Sequence, residues 1–199
     1  MKSISVTLFF LLFFSGGQSL AQSRTTEHVE VLCPSVLGVG IRNKVPYCNI
    51  EIQRDAVFGI LMQIPSHRGE AILSFDLHNR HTYSEEEASE GRAYAKYMAS
   101  IAVATMSGEI ITRGVVLNEF RSESDLYDRV KGTGIMRDVN PLAPLGAERI
   151  YVTIPEDIDQ ISVVGQSLEV VRAENQDVFQ STGRAVAALS DAIISYLPQ

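Results

Sequence analysis

The chain has 199 residues and carries 24 acidic side chains against 17 basic ones, for a net charge of −7. That balance lacks the concentrated basic face that nucleic-acid phosphates or an anionic membrane surface demand, so it argues against both as partners. The length is enough for one domain with a substantial core.

The N-terminus reads as an export signal. Lys2 supplies a positive start, residues 4–14 are almost wholly apolar, and Ser19 and Ala21 put small side chains where a signal peptidase reads. The apolar run falls short of the roughly 20 residues a helix needs to cross a bilayer. Residues 1–21 are therefore expected to be removed, leaving 22–199 as a single domain with no membrane insertion. Cleavage takes away one lysine and no acid, so the mature chain is more acidic still. A lipid anchor needs a cysteine directly after the cleavage site, and the first cysteine is Cys33. The expected location is secreted or periplasmic.

An oxidising compartment pairs two surviving thiols, so Cys33 and Cys48 are expected to form a disulfide. Pro34, Gly38, Gly40 and Pro46 lie between them, which suggests a bridge stapling a turn-rich N-terminal lobe. A redox-active pair would ordinarily show Cys-x-x-Cys spacing, which is absent.

Beyond Cys48 the pattern is mostly that of strands. Residues 57–64 form a short apolar run. Over 71–78, Ala71, Leu73, Phe75 and Leu77 alternate with Ile72, Ser74, Asp76 and His78, predicting one buried face and one wet face. Residues 94–106 and 109–120 read as a hairpin joined by a two-residue turn at Ser107-Gly108. Strands are also expected at 150–154, 160–164, 168–172 and 186–196, with turns at Gly165-Gln166 and Glu174-Asn175. Residues 84–98 open with a capping-box pattern and are read as an acidic loop or one helical turn. Residues 122–130 are expected to form a short helix, with serine at the start and Gly132 beyond its end. Residues 131–147 form a long Gly- and Pro-bearing loop, either a contact surface or a seam between subdomains. Short strands at this spacing without a βαβ rhythm predict an all-β fold: a two-sheet antiparallel β-sandwich of immunoglobulin-like architecture with one short helix.

Chemistry is densest at Asp76, His78 and His81. On an extended strand Asp76 and His78 project to one face, and a turn at Asn79-Arg80 would bring His81 beside them. One carboxylate and two imidazoles suit zinc, with Glu85, Glu86 and Glu87 near in sequence. The competing reading is a polar strand end with its histidines paired to nearby acids. Asp157 and Asp159, in the acidic segment after Pro155, offer oxygen ligands suited to calcium, without the glycine and bidentate acid of an EF-hand loop. Gly165-Gln166-Ser167-Leu168-Glu169 lacks the last glycine of a nucleophile elbow, and Gly132-Thr133-Gly134 lacks the rest of a phosphate loop. The leading expectation is thus a non-enzymatic β-sandwich acting through a protein partner or self-assembly in the cell envelope or extracellular space. The alternatives are a glycan, small-ligand or metal binder, or a metal-assisted hydrolase using Asp76, His78 and His81.

Overall fold

The structure is a computed structural model that describes residues 23–40, 44–80, 89, 95–120, 141, 142 and 147–199. In chain order the strands are β1 (Thr25–His28), β2 (Glu30–Leu32), β3 (Val36–Gly40), β4 (Pro46–Glu51), β5 (Ile60–Gln63), β6 (Ala71–Asn79), β7 (Ala95–Thr105), β8 (Ile110–Phe120), β9 (Pro141–Leu142), β10 (Glu148–Ile154), β11 (Gln160–Arg172), β12 (Gln176–Phe179) and β13 (Ala185–Tyr196). They form two sheets. One has seven strands in the order β10-β6-β13-β4-β3-β9, with β1 also on β13; the other has six in the order β2-β5-β11-β7-β8, with β12 on β11. Every ladder is antiparallel except the short pairing of β3 with β9. The fold is the all-β two-sheet sandwich that the alternation predicted.

Strand β6 shows why. Ala71, Leu73, Phe75 and Leu77 are fully buried, and the register sets Leu73 opposite Val152 and Phe75 opposite Ile150 on β10. Ile50 and Ile194 extend this inner face, and Met62, Ile101, Ile161 and Leu168 supply the facing layer from the other sheet. Each such side chain contributes on the order of 1.5–3 kcal/mol by leaving water.

Several local expectations need correction. Residues 57–64 are not one strand: a single 3-10 turn, Ala56–Phe58, precedes β5, and the Asp55 carboxylate caps it by accepting from Val57 N at 3.1 Å. The hairpin of β7 and β8 is present, but three residues, 106–108, lie inside the hydrogen-bonded pair of Thr105 and Glu109 that closes its loop. Thr105 N donates to Glu109 O at 2.9 Å, Gly108 N donates to Thr105 O at 3.0 Å, and Gly108 has φ of 87°. A third loop residue in the left-handed region preserves the strand twist that a two-residue turn would otherwise have to match. Gly165-Gln166 is not a turn either. Residues 160–172 run through it as the single strand β11, with a bulge between Gly165 and Ser167. Neighbouring backbone explains the glycine: a Cβ there would stand 2.9 Å from Ile52 N and 2.8 Å from Val186 Cγ2.

The Cys33–Cys48 disulfide is formed, with Cα atoms 5.8 Å apart. It does not staple a separate lobe. Cys33 follows β2 of the six-stranded sheet and Cys48 lies in β4 of the seven-stranded sheet, so the bridge ties the two layers together. The signal segment 1–21, the short helix over 122–130, nearly all of 84–94 and most of the loop over 131–147 lie outside the described residues.

Candidate functional site

The outer face of the seven-stranded sheet carries a connected polar cluster. Register places Arg149 of β10 opposite Asp76 of β6, and Asp76 opposite Ser190 of β13. Arg149 Nη1 donates to Asp76 Oδ1 at 2.7 Å, to Asp191 Oδ2 at 3.0 Å and to the Asp191 carbonyl at 3.1 Å, while Nη2 donates to Ser74 Oγ at 3.1 Å. Burial by itself would lower the Arg149 pKa, but the hydrogen bonds and charges of Asp76 and Asp191 outweigh it and raise the pKa above the ordinary value. His28 Nδ1 stands 3.9 Å from the other Asp191 oxygen.

Asp76 and His78 do project to one face, yet the wet surface expected there is only partly exposed, and His78 is buried. Asp76 is half-buried and committed to Arg149; His78 is 6% exposed, shares a 2.8 Å hydrogen bond from Nε2 to Ser190 Oγ, and lies with its ring centroid 4.9 Å from that of Tyr47. Beside them Arg80 Nε donates to Asn49 Oδ1 at 2.7 Å. His81 and Glu85 to Glu87 lie outside the described residues. Among the described residues, no three potential metal-ligating side chains converge. Arg149 thus engages Asp76, and Ser190 engages His78.

The acidic segment after Pro155 makes the turn between β10 and β11. Glu156 Oε2 accepts from Gly69 N at 2.9 Å, and the Asp159 carbonyl accepts from Ile64 N at 2.8 Å. The carboxylates of Asp157 and Asp159 are on exposed residues. Ser167 sits at the bulge within β11 rather than at a strand-to-helix turn.

The outer face of the six-stranded sheet is of another kind. Its rows read Leu117 (β8), Met98 (β7), Glu169 (β11) and Val178 (β12), then Val115, Ser100 and Ser167. Val115 is 48% exposed, Leu117 46% and Val178 57%. Ala102, Ala104, Ile110 and Val164 continue the surface into a shallow groove of about 370 Å³ bounded by residues 52–54 and Ala56. Leu32 is exposed at the end of β2, and Val57 and Phe58 are exposed on the 3-10 turn, which Ser162 Oγ of β11 ties to this face through Ala56 O. Of the exposed large hydrophobic residues described, only Val36 and Tyr151 belong to the other sheet.

Sequence reasoning missed Ser190, Asp191 and Arg149. A signal was present: Ser190-Asp191 interrupts the apolar run of β13, and polar residues inside a buried strand mark an irregularity. The chain matches no known family pattern and no characterised protein.

Proposed function

We propose that this is an exported, non-enzymatic β-sandwich protein that acts through protein contacts in the cell envelope or extracellular space, using the outer face of its six-stranded sheet. The carrying observation is the group formed by half-exposed Val115 and Leu117 of β8 beside Met98 of β7, with Val178 exposed beyond Glu169 in the same row as Leu117. The solvent face of an antiparallel sheet ordinarily alternates to polar side chains, so exposed Val115 and Leu117 grouped with Met98, with Ser100, Ser167 and Glu169 as polar neighbours, support an interaction surface. Charge supports the same reading, since a net −7 chain approaches a protein surface rather than nucleic acid. The leader-like start and the Cys33–Cys48 bridge support an oxidising location, and among the described residues no helix is long and apolar enough to cross a membrane.

A photo-crosslinking side chain placed at Leu117 in the native cell envelope tests this, with the same side chain at Tyr151 on the opposite sheet as reference. Discrete adducts from position 117 alone are expected, either to a partner or to a second copy. A strict monomer at high concentration with no adduct from position 117 would overturn the reading. Export is tested by mass: the mature chain should begin at Gln22 and be lighter by two hydrogens than its reduced form.

A further inference from the structure

One edge of β13 pairs with β6, and the other is divided. Residues 185–189 pair with β4 and residues 193–196 with β1, so among the described residues Ser190, Asp191 and Ala192 have no strand partner on that second edge. After β1 the chain crosses to β2 in the other sheet, held by Val29 N donating to Ala192 O at 3.0 Å. The gap is a cleft of about 410 Å³, within the size range of small-molecule pockets. Val29, Val31 and Cys33 from the chain around β2, and Val36, Val45 and Cys48 from β3 to β4, line it, and the disulfide joins these two segments.

Two further facts single out this cleft. Among the described residues, only Lys44, at φ 59°, and Asp191, at φ 51°, are non-glycine residues in the left-handed region, and both line it. Such residues persist where the surroundings hold them, and they gather at binding sites. Asp191 is held by Arg149, which takes both its carbonyl and its carboxylate. Lys44 is held by its backbone: its N donates to Gly40 O at 3.0 Å, and Gly40 N donates to Val45 O at 2.9 Å. The charges of the two differ in state. The Asp191 carboxylate already has a cation, whereas the Lys44 ammonium meets no carboxylate among the described residues.

We infer that this cleft is a binding site for a small amphipathic carboxylate, its apolar body between the valine walls and its carboxylate at Lys44. Walls fixed by a disulfide reduce the ordering cost of binding, and the Lys44 cation at the rim of an apolar cleft favours an anionic head. The inference is independent of the protein-contact reading, which concerns the other sheet.

Octanoate, with octanol as its uncharged counterpart, is the probe, titrated into the mature protein and followed by methyl and amide NMR. Saturable shifts at Val29, Val31, Val36 and Val45 are expected, with octanol bound about two- to fivefold more weakly, the range one exposed ion pair supplies. Lys44→Glu should weaken octanoate by at least about that factor and leave octanol unchanged. Val45→Trp should abolish binding by filling the cleft; Val36→Trp, at an exposed rim position, serves the same purpose if the first variant does not fold. Absence of saturable shifts at these valines, or equal octanoate affinity in Lys44→Glu and wild type, would overturn the inference.

Discussion

The two outer faces of this sandwich solve the same problem in opposite ways. On the seven-stranded sheet, outward positions carry Ser74, Asp76, His78 and Ser190, and Arg149 binds the charged ones into one cluster. On the six-stranded sheet the equivalent positions mix Glu169, Ser100 and Ser167 with Met98, Val115, Leu117 and Val178, and the apolar ones have no polar partner to seek. A polar cluster satisfied from within contributes to the fold, because each half-buried charge has its counter-charge in place. An apolar outer row contributes little to the isolated domain, since its side chains remain in water. Stability effects are therefore expected on the seven-stranded sheet and effects on association on the six-stranded one.

Breaking what joins the faces should cost most. Replacing Cys33 and Cys48 together with serine is expected to lower unfolding free energy by about 3 kcal/mol, read from urea midpoints, because the loop they close restricts the unfolded chain. Hydrogen exchange should then accelerate in β2 and β4 alike, as the bridge ties both layers. On the polar side, Arg149→Ala leaves Asp76 and Asp191 without their cation and should cost about 2 kcal/mol by the same measurement, less in high salt. On the six-stranded sheet, Gly165→Ala forces a Cβ against Ile52 N and Val186 and should cost about 1–3 kcal/mol.

A smaller, pH-dependent effect belongs to the clasp of β1. Tyr196 Oη donates to Glu27 Oε1 at 2.9 Å, and that hydrogen bond, then burial and the Glu27 charge, raises the tyrosine pKa above its ordinary 10.0. A folded-state pKa raised above the unfolded one gives stability that is present in full below the unfolded value and lost as pH climbs through the folded one. Alkaline titration above about pH 10 should therefore weaken the β1 to β13 pairing, and Tyr196→Phe should remove that part of the slope. Last comes Leu117→Lys, expected to shift stability by no more than about 0.5 kcal/mol while abolishing crosslinks from a photo-reactive side chain placed at Val115 on the same face. A large stability loss there would show that the row belongs to the fold, and the contrast between the faces would fail.

Much of the architecture was legible in the chain because burial on one side writes a two-residue period. β6 is the clearest case, and β10, β13 and the β7–β8 hairpin follow it. Irregularities were harder to read. Gly165 marks a bulge and resembles a turn residue in sequence, since both uses depend on the missing Cβ, and only the backbone of Ile52 on its neighbour tells them apart. The candidate polar residues were legible as a group but not in their roles: Asp76 and His78 sit where alternation puts them, yet their partners Arg149 and Ser190 are far away in sequence.

By itself the sequence determined the fold class, the strand faces, the acidic character and the pairing of the two cysteines, because composition, period and thiol number are local or additive properties. What those elements face depends on long-range pairing. It set the disulfide across two sheets, gave Asp76 an arginine 73 residues away, divided one edge of β13 between β1 and β4, and left Leu117 in the open. Those outcomes depend on which strands become neighbours, and strand order follows from long-range packing that no local pattern encodes.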